Sequence, residues 1–491
     1  MAANTDSSPG KPQQPPGSSK TAPAFSRPAL TLFDCVCIIV GTIIGSGIFK
    51  TPSLVAAQVP SAFWLIVIWL IGGAIALAGA LCFAELTTTY PDRGGDYGYL
   101  KRAFDRRFGF AFSWAAFWVI RPGNIGAMAV IFGVFAVDAV PGISSRYPQL
   151  FSPLTFAAAA VVATSAANLA GLYLGKWTQN VLAVAKVVGI LLIILAALID
   201  TPAPAAAAEA NTVAATATET ASEAPASTEW FWLSMVFVMY SFGGWNDIAF
   251  VASEVRHPQR NLFRALMLGT GAVALIYLVV NLALVQGLGF ERMSQLGADN
   301  APFVLVSEAW GEWGGRLLAV LVCVSCLGAI SAMIFTSPRI YWATALDYPS
   351  LSWMAGTRDG HGWWPAMLLQ AVVTMLFVVV FGRQSDGFDV IVNASAPYFW
   401  LFLAATVFGL IVCRFRYAGR FEGFRVPGYP LVPIGFILAC LFMVVRSYQY
   451  MIFQELQWAA ITIGAWVLLG VGLSFVIASV PESEQSENGE A

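Results

Sequence analysis

The chain has 491 residues, 58% of them hydrophobic and only 11% charged, with a mean hydropathy of +0.71 and a formal net charge of -2. A soluble chain of this length cannot bury so much apolar surface, so most of it must face lipid, and the near-balanced charge gives no footprint for a nucleic-acid partner. The seven cysteines fall in or beside apolar runs and read as small membrane residues, not metal ligands. No cofactor is implied.

Residues 1–28 are rich in Pro, Gly, Ser and Gln and lack an apolar segment, so they are expected to form a disordered tail, not a signal peptide. A helix crosses the hydrocarbon with ~20 apolar residues. Such runs fall at roughly 30–57, 61–88, 108–137, 153–171, 177–199, 230–251, 265–288, 313–337, 364–382, 388–413, 429–447 and 456–479, which predicts an all-α membrane protein of twelve spans. The third and eighth are long, as tilted or extended spans are. Residues 200–229 carry the stretch TPAPAAAAEANTVAATATETASEAPASTE, without Lys or Arg, and are expected to be a low-complexity outer loop. The acidic tail 481–491, PESEQSENGEA, is expected to be disordered. Most of the 26 lysines and arginines, Lys101, Arg107, Arg256 and Arg414 among them, fall in segments on the side of the two termini. The excess of Lys and Arg in cytoplasmic loops then places both termini in the cytoplasm and the chain in the cell membrane.

The first predicted span holds GTIIGSGIF, residues 41–49. Glycine weakens a helix interior, and irregular backbone survives at membrane depth only where it lines a cavity or is buried in protein. Two readings follow: close helix packing through the Gly41/Gly45 pair, or an unwound segment whose freed N–H groups face an anion. A second interruption, YSFGGWND at 240–247, decides between them. Interrupted spans at corresponding positions of two halves point to a binding site. The first and sixth spans are five apart, which suits two five-span repeats of opposite topology, 29–199 and 230–416, followed by two further helices within 417–480. Lys186 sits mid-span in VLAVAKVVGILLIIL, where a charge is costly and marks a functional site by default.

Several motifs carry a resemblance to a known family: VGTIIGSGIFKTP (40–52), CFAELTTTYPDRGGDYGYL (82–100), FWVIRPGN (117–124), SFGGWND (241–247) with EVRHPQRNLFRAL (254–266), and FRVPGYPLVP (424–433). In order and spacing they resemble the amino acid–polyamine–organocation superfamily, and within it the L-type amino acid transporters and their bacterial relatives. The resemblance implies a five-plus-five inverted repeat with discontinuous helices one and six, and alternating access around a midplane site. By resemblance, backbone groups at Ile43, Gly45, Ser46 and Gly47 hold a substrate carboxylate, and carbonyls near Ile43, Tyr240 and Gly243 hold its ammonium. Tyr240 occupies the place of the family's gating Phe, while Phe242, Trp245 and Asn246 are candidates for the pocket wall. Lys186 takes the place of the sodium ion used elsewhere in this fold and would brace the GSG segment, as a fixed ion or as a proton carrier. Glu85 is expected to pair with a loop arginine at an inner gate, and Arg121 to bond loose carbonyls at the Pro122 kink.

The chain also departs from the family. The loop 138–152 has no cysteine, so no disulfide-linked heavy chain is expected, and the protein would be a monomer or homodimer. The stretch 343–360, ATALDYPSLSWMAGTRDG, differs from the family's usual loop. Phe399 replaces a polar pocket residue of some members. No acidic residue is expected in the pocket unless Asp247 turns inward. The reading is therefore a sodium-independent exchanger of neutral L-amino acids. The alternatives are a proton-coupled symporter using Lys186 and a nutrient sensor with the transporter fold. Both histidines, His257 and His361, fall in loops, and no nucleophile–base set is visible at membrane depth, so an enzyme is not expected.

Overall fold

The computed structural model describes residues 30–91, 94–170, 176–199, 229–297, 300–355, 364–383, 387–417, 423–453 and 455–477. The expected disordered tails and nearly all of the 200–229 loop lie outside these residues. No strand occurs among the described residues. One isolated bridge joins Leu30 to Val255, with Leu30 N donating to Glu254 O at 3.0 Å and Arg256 N to Leu30 O at 2.9 Å. This bridge clamps the start of the first span to the end of the sixth.

The first span is two helices, α1 (Leu32–Ile43) and α2 (Gly47–Ala56), bent by 44°. α1 starts at a capping box: Asp34 N donates to the Thr31 hydroxyl, and Thr31 N donates to the Asp34 carboxylate at 2.9 Å. α3 (Ala62–Thr89) crosses back and is followed by the short α4 (Asp96–Ala103). The third span is α5 (Arg106–Ala115), a π-turn (Ala116–Ile120) and α6 (Arg121–Ala139). A short α7 (Pro141–Arg146) leads to α8 (Pro153–Leu169) and α9 (Lys176–Ala197).

The sixth span is α10 (Glu229–Ser241), a turn, and a ten-residue 3₁₀ segment (Trp245–Glu254). Runs of 3₁₀ longer than 3–4 residues are uncommon, and they often mark a hinge or strain. Then come α11 (Pro258–Leu288), α12 (Phe290–Leu296) and α13 (Ala301–Asp347), which bends at Gly311, φ 68°. The chain ends with α14 (Ser352–Ala355), α15 (Trp364–Phe381), α16 (Gly387–Arg416), α17 (Leu431–Phe453) and α18 (Gln457–Val476).

Ten described helices are long and apolar enough to cross a membrane, or eleven with the bent α1–α2 pair as one span. The expected twelfth is α8, apolar but only 17 residues long. The eighth span outruns its apolar stretch because polar helix continues it at both ends. α1 is enclosed by α9, α11, α13 and the 3₁₀ segment; in the sixth span, α10 packs on α2, α3 and α17, and its 3₁₀ segment on α1, α3, α11 and α13. The two interrupted spans therefore lie inside the bundle, away from lipid. Side chains such as Leu438, Ile461 and Leu468 on α17 and α18 stay exposed, as lipid-facing surface should be.

Candidate functional site

The sequence places its weakest helical segments where α1 and α10 end. Gly45 N turns back to Ile43 O at 2.8 Å, which leaves the Gly41 carbonyl without its usual i+4 donor. Lys186, 1% exposed, reaches across from α9 and donates to that carbonyl. The Tyr277 hydroxyl of α11 lies 3.1 Å from both Ile43 O and Ser241 O, tying the C-terminal ends of α1 and α10 together. Ser325 of α13 lies 3.3 Å from Ile44 O and 3.4 Å from Gly45 O. On the donor side, Ser46 N and its hydroxyl approach the Met128 thioether of α6, at 3.3 and 3.2 Å. A thioether is a weak acceptor.

Glycine is needed at two places for different reasons. A Cβ on Gly47 would come within 2.9 Å of the Ser241 backbone, so only Gly lets α2 begin against α10. Gly244 has φ 112°, and its turn puts its carbonyl oxygen 3.1 Å from the Thr42 hydroxyl.

A cavity opens between the breaks. Its walls include Thr42, Ile43, Gly47, Asn124, Met128, Tyr240, Ser241, Gly243, Gly244, Asn246, Phe399 and Trp400. It continues past Arg121, Asp247, Phe250, Phe112 and Phe402 to Asp96 at the start of α4. Water centres can occupy about 70 Å³ of it. One water needs ~10–15 Å³, so the space suits a few waters or one small solute. Two helix C-termini and one N-terminus, that of α2, meet at this cavity. They offer partial negative and partial positive charge side by side, the complement of a zwitterion.

The expected site residues divide. Ile43, Gly47, Tyr240, Gly243 and Asn246 line the cavity. Gly45 and Ser46 lie behind Met128. Phe242 is not at the wall: it packs between Trp69 and Tyr277, at ring centroid distances of 5.9 and 5.1 Å. Trp245 is likewise turned away, against Phe83 at 5.1 Å and Phe436 at 6.0 Å, in space left by Gly79. Phe242 still follows the helical register of α10, with its N bonded to Val238 O at 3.1 Å, and its ring fills the space beside Gly72 and Gly73 of α3; Trp245 follows the left-handed turn at Gly244, which breaks that register. The Tyr240 ring meets Phe388 edge-on at 5.4 Å, with Lys50 over the far ring at 5.1 Å. Its hydroxyl has no hydrogen-bond partner among the described residues.

Two charged expectations are corrected. Arg121 does not bond kink carbonyls. The π-turn absorbs the kink, with Arg121 N bonded to Ala116 O, and the guanidinium forms a bidentate pair with Asp247 at 2.8 and 3.0 Å, stacked on Phe250 at 4.8 Å. The pocket is also not free of acids: Asp247 turns inward, and Asp96, absent from the sequence expectations, lines the cavity too. Glu85, fully buried, is held by Arg414 Nε at 2.6 Å and by Val426 N at 2.6 Å; the arginine belongs to the last turn of α16, not to a loop. Asp96 lies in DRGGDYGYL, a segment that reads as a loop. Its signal was the preceding glycine pair, since Gly94 (φ 91°) and Gly95 (φ 50°) let the chain press against Phe250.

A sequence model described as amino acid permease matches residues 30–473. The chain belongs to the amino acid permease family. It is thus a multi-pass transporter of the amino acid–polyamine–organocation superfamily, and not an enzyme. It is similar to the mouse b(0,+)-type amino acid transporter 1, with 28% identity over 91% of this chain and 87% of that protein. It is similar to the rat large neutral amino acids transporter small subunit 2, with 27% identity over 90% and 78%. It is also similar to the serine/threonine exchanger SteT of Bacillus subtilis (strain 168), with 25% identity over 84% and 89%.

Proposed function

We propose that the protein is a sodium-independent exchanger of neutral L-amino acids, working by alternating access at the cavity between the broken first and sixth spans. The observation that carries this reading is that Ile43 and Gly47 from one break and Tyr240 and Gly243 from the other line the same cavity. The α-carboxylate would lie at the N-terminus of α2 and displace Met128 from the Ser46 amide. The α-ammonium would lie at the carbonyl ends of α1 and α10. Lys186, bonded to Gly41 O, supplies the fixed positive charge that replaces sodium beside α1. Arg121 and Asp247 neutralise one another, and aromatic rings from Tyr240, Phe250, Phe399 and Trp400 supply a wall for an uncharged side chain.

The five-plus-five repeat over 29–199 and 230–416, cytoplasmic termini, and gating by Tyr240 on one side and Glu85–Arg414 on the other complete the reading. The cysteine-free 138–152 loop supports a chain that works without a disulfide-linked partner. The test is uptake of labelled leucine into proteoliposomes, preloaded with unlabelled amino acids or empty, in choline instead of sodium buffer. Uptake confined to preloaded vesicles is expected. Equal uptake into empty vesicles contradicts exchange, and a sodium requirement contradicts the role given to Lys186.

A further inference from the structure

Three charges lie together in the cavity wall: the Arg121 guanidinium and the Asp247 and Asp96 carboxylates. Both terminal nitrogens of Arg121 are committed to Asp247. Asp96 is 3% exposed, and its Oδ1 has no hydrogen-bond partner among the described residues. Asn246, 4% exposed and beside it, also has an unpartnered Oδ1, and Thr406 of α16 flanks the pair. α4 packs on α5, α13 and α16 and lies near the 3₁₀ segment and α6.

The charged groups these elements bring up are spoken for elsewhere. Lys101 and Tyr97 of α4 itself bond Asp347 of α13, Arg339 of α13 bonds Glu254, and Arg414 of α16 bonds Glu85. Arg106 of α5 lies by Tyr97. Burial is the largest influence on Asp96 and opposes its charge, as does Asp247; Arg121 favours the charge, and so, more weakly, do the side chains of Thr406 and Asn246. An ionised carboxylate closed away from water is costly where burial outweighs its partners, and adding a proton removes the cost.

We propose that Asp96 is a proton-binding site built into the cavity wall: it is a neutral acid while α4 and the 3₁₀ segment close around it, and it gives its proton to water when they part. Burial, opposed by Arg121, pushes its carboxyl up to about 7, so the site changes state near neutral pH. The sign follows. The closed wall binds a proton that the wetted wall does not, so low pH favours the closed wall and rising pH releases it. The proposal rests on the transporter reading only for its consequence in exchange, so its first test does not involve transport.

That test is the infrared carbonyl stretch of protonated carboxyl groups, recorded on the full chain in lipid between ~pH 5 and ~pH 9, for the native protein and Asp96→Asn. The expected difference is a band in the native protein that disappears through about pH 7 and is missing in the variant. Superimposable pH series overturn the proposal. The second test is leucine counterflow with the same pH on both sides. Between ~pH 6 and ~pH 8 the native rate is expected to rise several-fold, following a group that passes from ~90% to ~10% protonated. Asp96→Asn should show no such slope, and Asp96→Glu should restore it. An unchanged slope in Asp96→Asn overturns the proposal. If that variant instead loses only inhibition by lysine, Asp96 is a subsite for a cationic side chain, and the proton assignment fails. The infrared difference without leucine transport in either protein would leave Asp96 standing and sink the neutral exchanger reading.

Discussion

The two interrupted spans solve one problem in opposite ways. The break after α1 is held from outside. Its carbonyls are met by Lys186 of α9, Tyr277 of α11 and Ser325 of α13, and its Ser46 amide by Met128 of α6. None of its glycines has positive φ, so they serve close approach and not handedness. The break after α10 is held mostly by itself. Gly243 N closes on Tyr240 O at 3.0 Å and Asp247 N on Gly244 O at 3.1 Å, around the left-handed Gly244. Freed backbone at membrane depth needs partners. The first break borrows them from four other helices, and so its geometry can report on how those helices are placed. The second is a local turn that travels with its own segment.

This contrast is sharpest at Lys186. Lys186→Ala leaves the Gly41 carbonyl buried and unpaired, a loss of ~1–3 kcal/mol, or roughly 5- to 150-fold in any step that needs the first break intact. Counterflow of leucine should fall by at least about fivefold in a variant that stays monodisperse in detergent. An unchanged rate would mean that the first break does not depend on outside partners. The opposite and smallest effect belongs to Met128. Met128→Leu keeps the volume but removes the sulfur from the Ser46 amide, so substrate carboxylate no longer competes with it. A KM for leucine lower by about twofold is expected, the scale of a weak hydrogen bond. A raised KM would place the carboxylate elsewhere.

Much of the fold was legible because lipid imposes it. Each span is a run of ~20 apolar residues, and glycine at 41–47 and 243–244 stands out against such runs. Lys186 was legible because a mid-span charge has few explanations. The errors lie where the regular period ends or where a partner is distant in sequence. Phe242 and Trp245 were expected at the substrate. Phe242 keeps the helical step but faces the small Gly72 and Gly73 of α3, a partner its own segment does not name, and Trp245 follows a left-handed residue, after which the 100° step no longer says which way a ring points. Arg121 and Asp247 are separated by 126 positions, and nothing in either segment names the other. Asp96 was hidden because its segment reads as a loop. Only the fold shows that the Gly94–Gly95 turn carries it under the cavity.

The central claim is that the α2 N-terminus and the carbonyl ends of α1 and α10 together recognise a zwitterion. The most direct measurement is competition against labelled-leucine exchange by three molecules with the same side chain: leucine, leucinamide without the carboxylate, and 4-methylpentanoate without the ammonium. Inhibition by leucine alone, with both analogues weaker by ~100-fold or more as expected when a buried charged partner is left unpaired, is the predicted result. An analogue that competes as well as leucine would show that one of the two breaks does not face the substrate.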